Sequence, residues 1–320
     1  MKEVVKMKQW IKTMLTSVLT ISMCLGLTGT IEGASPPTQV EVLLNAKKMN
    51  FPDAKPFQDG QGSVMVPIRF VSEALGGKVS YSKSGGKTVV EVEKGDDTVT
   101  MTVGQITALV NGKSKNYGPK VILKQNRTFV PLRLVSEGLG EKVEWDKVGR
   151  WVWIGSKDIP NSDDPEFKLQ PMSKFDAYYK KSTNMHRNMK GELFKGVKLI
   201  TPKDLPIQLG KGPTIYSVKM DKAHGKDYLA VRGTESGMPI YLLVKNDFVK
   251  NRGAILPAFE DHGDGTGTNF HPVVTNSDKF QNSIYRENFD WTTFNLNTAD
   301  YIAFGSSHMD YIVAMVNPFK

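Results

Sequence analysis

The sequence predicts an α+β protein in two parts. The first is an amino-terminal domain of antiparallel strands packed on short helices, with an internal duplication; the second is a β-rich α+β domain. Three observations lead there. The segment Val66-Pro67-Ile68-Arg69-Phe70-Val71-Ser72-Glu73-Ala74-Leu75-Gly76 returns 64 residues later as Val130-Pro131-Leu132-Arg133-Leu134-Val135-Ser136-Glu137-Gly138-Leu139-Gly140, and ten of the sixteen positions up to Tyr81 and Trp145 are identical, the mark of a repeat. Elsewhere apolar side chains alternate over short runs bounded by Gly, Asn and Pro, as strands between turns do. Residues 155–165 are rich in Ser, Asp and Pro, which reads as a connection between the parts.

Taken in order, residues 1–33 read as a secretory signal: Lys2, Lys6, Lys8 and Lys12 precede an apolar run from Met14 to Leu27, and the small residues Gly29, Gly33 and Ala34 follow. The run is short for a bilayer crossing, so no membrane span is expected once it is removed. Two alternatives stay open. One is a lipid anchor on Cys24, where Met23 stands in place of the usual small residue; the other is an uncleaved leader acting as the anchor. Cys24 is the sole cysteine, so the exported chain would form no disulfide. Residues 34–39, with Pro36-Pro37, form an extended spacer.

A strand is expected around Val40 to Leu44, with a turn at Asn45. In each twin segment an apolar residue and Pro close a strand, and Pro fits the first helical turn because its missing N–H has no intrahelical partner there. Phe70, Val71, Ala74 and Leu75, with Leu134, Val135, Gly138 and Leu139, are expected to share one helical face. Arg69 with Glu73, and Arg133 with Glu137, stand at i, i+4 on the other side, and Gly76 and Gly140 end the helices. Between the copies, Thr88 to Glu93 and Thr98 to Val103 make a hairpin, and Asn111-Gly112 a second turn. The second part, residues 172–320 after a linker over 156–171, opens on an expected helix from Ser173 to Leu193 with Phe175, Tyr178, Tyr179, Met185 and Met189 as a core stripe. Strands follow near 197–201, 215–220, 228–232 and 240–244, the last two as a hairpin, and a closing hairpin joins 301–304 to 311–314.

The residues Asn111-Gly112-Lys113, Asn126-Arg127-Thr128-Phe129-Val130-Pro131-Leu132-Arg133, Leu139-Gly140, Val143-Glu144-Trp145-Asp146 and Val152-Trp153-Ile154 resemble the copper amine oxidase N-terminal-like, or stalk, domain of secreted and cell-surface proteins of Gram-positive bacteria. The first copy matches more loosely: Asn45-Ala46-Lys47 replaces the Asn-Gly turn, and Ser80-Tyr81-Ser82 replaces Glu-Trp-Asp. The resemblance covers residues 40–155, and residues 160–320 lie outside it. It implies a non-catalytic binding or spacer module at the cell surface. The quinone-forming Asn-Tyr context and the three His of the oxidase catalytic domain are missing, and residues 34–155 contain no His, so no cofactor is expected and copper is not expected in this domain.

The net charge of +9 favours anionic partners such as wall polymer, although a solvated surface explains scattered Lys equally well. No Arg/Lys stripe points to nucleic acid. The densest polar cluster runs from Glu260 to His271. Its Asp261, His262, Asp264 and His271 have the residue types of a metal site, as in an extracellular metal-dependent enzyme, but match no established loop spacing; a polar turn is the competing reading. Ser306, Ser307, His308 and Asp310 have the residue types of a hydrolase triad but adjoin in one turn, and no Gly-x-Ser-x-Gly, His-Glu-x-x-His or phosphate loop occurs. His186 and His224 carry no constellation. Trp151 and Trp153 alternate with Val152 and Ile154, so they point away from the domain's core. They form either a sugar-stacking or partner-binding patch or the surface on which the second part docks. The sequence thus supports a secreted or wall-associated protein, binding anionic wall polymer or carbohydrate; it leaves the role of residues 172–320 and the oligomeric state open.

Overall fold

A computed structural model of the chain describes residues 39–188, 190–223, 226–255, 259–279, 292, 294–305 and 309–320. The expected leader and all but the last residue of the spacer lie outside the described residues, as do Met189, His224, Ser306, Ser307 and His308. Ser35–Lys320 forms one compact unit.

In the amino-terminal half, β1 (Glu41–Leu44), β2 (Lys47–Lys48), β3 (Phe57–Gln58) and β4 (Val64–Pro67) lead into the helix Ile68–Ala74. Then come β5 (Lys78–Ser84), β6 (Lys87–Lys94), β7 (Asp97–Thr102), β8 (Thr107–Val110), β9 (Lys113–Asn116), β10 (Ile122–Lys124) and β11 (Arg127–Pro131), the helix Leu132–Gly138, β12 (Val143–Asp146) and β13 (Trp151–Ile154).

Each helix starts on its Pro: Pro67 has φ −66° and ψ 115°, and Pro131 has φ −56° and ψ 122°. Each also ends alike. Gly76 and Gly140 both take φ +78°, and the next amide returns to the serine carbonyl, Gly77 to Ser72 at 2.7 Å and Glu141 to Ser136 at 2.8 Å, which caps the last turn. The buried face of the first helix is Ile68, Val71, Ser72 and, at its cap, Leu75. It follows the i, i+3, i+4, i+7 period, so Ala74 is exposed and Phe70 half-buried, unlike the face expected from the sequence. Gly138, at the position of Ala74, is buried against Val99.

The strands β4 and β11 that deliver these helices pair antiparallel, Met65 with Pro131, Val66 with Val130 and Pro67 with Phe129. The register is centred on Val66 and Val130, which are equivalent in the sequence repeat, so a local two-fold relates the two segments. Both helices feed one core, shared by Val42, Val66, Val71, Val90, Val99, Val130, Val135, Val152 and Ile154. The strands outside β4 and β11 are exchanged around the half: β5 to β9 form one antiparallel sheet, while β12 and β13 join β1 and β2, with β13 parallel to β1.

The carboxy-terminal half contributes β14 (Leu169–Pro171), β15 (Gly196–Ile200), β16 (Ile207–Gln208), β17 (Thr214–Ala223), β18 (Lys226–Gly233), β19 (Ile240–Leu243), β20 (Lys250–Arg252), β21 (Phe259–Asp261), β22 (Gly267–Pro272), β23 (Tyr301–Phe304) and β24 (Ile312–Val316). Two sheets, β14-β15-β24-β23-β19-β20 and β16-β17-β18-β22-β21, enclose a core that includes Ile215, Leu229, Val231, Ile240, Leu242, Ile302 and Val313. The closing hairpin forms as expected, Tyr301 pairing with Val316. The expected pairing of 228–232 with 240–244 does not: β18 and β19 lie in different sheets.

The helix expected over Ser173–Leu193 is also shorter. Among the described residues, a 3-10 turn over Met172–Phe175 and one helical turn over Asp176–Tyr179 are all that form. Beyond them Ser182, Thr183, Asn184 and Asn188 offer side chains that compete with helical hydrogen bonding; Asn188 Oδ1 accepts from the amides of Lys190 and Glu192, each at 3.0 Å, and closes a turn instead.

Candidate functional site

All four residues of β13 are buried. Val152 and Ile154 enter the core of the amino-terminal half, as alternation requires. Trp151 and Trp153 face the other way with Leu43 and Ala46, and there Ile159 and Tyr216 cover them. Tyr216 reaches them because it is the extra residue of a bulge between Ile215 and Ser217 in the β17–β18 pairing; a bulge re-aims a side chain in this way. Its ring centroid lies 6.2 Å from that of Trp151, and the two indoles are 5.9 Å apart. Ala46 sits in the left-handed region at φ +62°, where Gly is usual; its methyl is buried in this cluster.

Beside the aromatic cluster stands Arg232 of β18, almost wholly buried. Its Nη1 donates to Asp146 Oδ2 at 2.6 Å, its Nη2 to Asp264 Oδ2 at 2.9 Å and its Nε to Thr266 Oγ1 at 2.9 Å. The guanidinium also lies 5.0 Å from the Tyr216 ring centroid. One cation thus ties Asp146, at the end of β12 in the first half, to the Gly-rich turn of the second. Burial pushes the Asp264 carboxyl up, but the Thr266 hydroxyl and amide and the Arg232 charge outweigh it and hold the group below the usual carboxylate range. Neither Tyr216 nor Arg232 carries a local motif, so sequence reasoning missed both.

The polar stretch 260–271 forms the β21–β22 hairpin. Asp261 Oδ1 accepts from the Gly263 amide at 2.9 Å, and His262 Nε2 lies 2.9 Å from Thr268 Oγ1. His271 is elsewhere. It pairs with Leu229 four residues beyond Gly267, the partner of Asp261, about 13 Å along the strand. It also faces the inter-sheet core, whereas Arg232 and Thr268 share the opposite face. His271 is fully buried, its Nδ1–H donates to the Arg252 carbonyl at 2.7 Å, and burial lowers its pKa to about 4. The structure therefore places His271 away from Asp261, His262 and Asp264, which share the hairpin turn, and among the described residues no three His, Cys, Asp or Glu side chains gather to hold a metal ion. Distance along β22 and strand alternation, which turns His271 to the core face, are the physical reason.

No described helix is long and apolar enough to cross a membrane. A protease inhibitor of Brevibacillus choshinensis is 29% identical over 133 residues, which are 41% of this chain and 40% of that protein. The matched stretch is thus less than half the length of either chain. No family matches the carboxy-terminal half. Residues 43–154 match the copper amine oxidase N-terminal domain family.

Proposed function

We propose that this chain is a non-catalytic protein of the bacterial surface, exported through its leader, in which a stalk-like half and a β-sandwich half act as one rigid unit that binds anionic wall polymer or carbohydrate. The observation that carries this reading is the buried contact between the halves: Trp151 and Trp153 under Tyr216, with Arg232 bound to Asp146 and Asp264. Such a contact transmits position rather than chemistry. In the 260–271 hairpin, Asp261 and His262 bond within the hairpin and Asp264 binds the Arg232 clamp. Residues 43–154 contain no His and no Cys, the ligands copper prefers, so no copper step is assigned to them. We also propose that the two strand–helix segments descend from one unit, supported by their matching caps and by the Val66–Val130 register.

The test is retention of the purified chain on isolated cell walls. A charge-driven contact is strongest at low salt and weakens as ionic strength rises, so retention should fall across that series. No retention at low salt overturns the reading. Stoichiometric metal in the purified protein, with a hydrolytic activity lost in His262→Ala and His271→Ala, would establish the metal-dependent enzyme instead. The similarity to a protease inhibitor favours a second non-catalytic reading, occlusion of a protease, which stoichiometric inhibition in a protease panel would reveal.

A further inference from the structure

Four titratable side chains are buried at the join between the two sheets of the carboxy-terminal half: Lys250, Arg252, His271 and Asp278, each no more than 2% exposed. β20 ends the six-stranded sheet, β22 belongs to the five-stranded one, and the join runs from one to the other. Arg252 Nε donates to the Val273 carbonyl at 2.9 Å and Nη2 to Asp278 Oδ1 at 3.1 Å and Oδ2 at 2.9 Å, while the Phe294 ring centroid lies 5.2 Å from the guanidinium. His271 completes the join through its 2.7 Å bond to the Arg252 carbonyl. A carbonyl only accepts, so the ring proton sits on Nδ1 and Nε2 is a bare acceptor. Nε2 is buried and has no partner among the described residues.

We propose that His271 is an acid-triggered latch between the two sheets: a proton taken up at Nε2 releases β20 and the strap 273–278, while the amino-terminal half stays folded. The charges around the ring are already balanced. Lys250 and Arg252 come from β20, Asp247 from the turn before it and Asp278 from the strap; Lys250 Nζ lies 3.6 Å from Asp247 Oδ2, and Arg252 is paired with Asp278. On the other side β18 presents Leu229. A proton on Nε2 therefore adds a cation with neither a counter-charge nor an acceptor, a costly state in a closed interior that water relieves once the join opens. Burial lowers the pKa of the ring to about 4 against the opposing pull of the Arg252 carbonyl, whereas an opened, hydrated ring titrates near 6.5. The opened form thus binds the proton that the closed form refuses, so closure is strongest above about pH 6.5 and weakens as pH falls toward 4. Residues 43–154 contain no His, so the amino-terminal half has no imidazole to charge in that window.

The experiment follows backbone hydrogen exchange of the full chain from about pH 7.5 down to about pH 4, with the intrinsic exchange rate at each pH divided out. It compares the wild type with His271→Gln, whose side-chain amide still donates to the Arg252 carbonyl but takes up no proton. In the wild type, amides of β20, β22 and the strap should exchange ahead of those of β4 and β11, and their opening constant should rise roughly tenfold per pH unit below about pH 6.5. In His271→Gln the opening constant should stay level down to about pH 4.5. Three results overturn the latch. One is equal exchange at the join and in β4 and β11, which means global unfolding alone; another is the same rise in the variant. The third is a rise that begins only below about pH 4.5, where carboxylates titrate. If His271→Gln fails to fold at neutral pH, the wild-type onset decides between the same outcomes: near pH 6.5 upholds the latch, and below about pH 4.5 removes it.

Discussion

Gly138 illustrates how one residue records its neighbours. It occupies the position of Ala74 in the first copy, yet a Cβ there would lie 2.6 Å from Val99 Cγ2. Alanine is the better helix former by about 1 kcal/mol, but the methyl would have to displace a stiff β-branched side chain in a close-packed core. Gly138→Ala is expected to lower stability by about 1–3 kcal/mol in urea unfolding, whereas Ala74→Gly, at an exposed site, should cost no more than the helix preference. His271 makes a second residue-scale prediction. Its pKa is about 4 when folded, against about 6.5 in an unfolded chain, so between those values the unfolded state binds more protons. Stability from keeping this ring neutral is therefore complete above about pH 6.5 and is lost as pH falls toward 4. His271→Gln, which can still donate to the Arg252 carbonyl, should flatten the dependence of the urea midpoint across that window; an unchanged slope would assign the effect to other groups.

At the scale of elements, β13 is the strand whose surroundings matter most. Most strands of a sheet with one solvated face alternate buried and exposed, and Trp-Val-Trp-Ile instead has both faces covered. Arg232 supplies the polar counterpart of that covering. Its side chain is 5% exposed and that of Asp146 is 11% exposed, so removing one partner leaves a charge with little water to solvate it. Arg232→Met should cost about 3–5 kcal/mol, measured by chemical unfolding. Asp146→Asn with Arg232→Met should cost less than the sum of the single changes, because neither then strands the other. Additive losses would mean that the pair does not act as a unit. The shortened helix at 173–193 belongs to the same scale. Its apolar spacing was legible, but Phe175 and Tyr179 pack on the outer face of the sheet within a single turn, and the Asn188 side chain then competes for the backbone.

Across the whole molecule, the Trp cluster and the Arg232 clamp make the two halves parts of one compact unit. Thermal unfolding of the chain should therefore give a single calorimetric transition, and Trp151→Ala with Trp153→Ala should split it into two. Two transitions in the wild-type chain would contradict this. The local structure was legible because it depends on neighbours in sequence: the Pro-started, Gly-ended helices, the Asn111-Gly112 turn, the β6–β7 hairpin and the alternation that turned Trp151 and Trp153 away from Val152 and Ile154. Three things were decided only by the tertiary structure: the partner that covers those indoles, the assignment of β18 and β19 to separate sheets, and the separation of His262 from His271. Each depends on contacts between residues distant along the chain, above all a single bulged residue, Tyr216, and a single cation, Arg232. A sequence fixes side-chain periodicity through local backbone geometry; which surfaces then meet is set by burial of apolar area and pairing of buried charge between segments that no local pattern links.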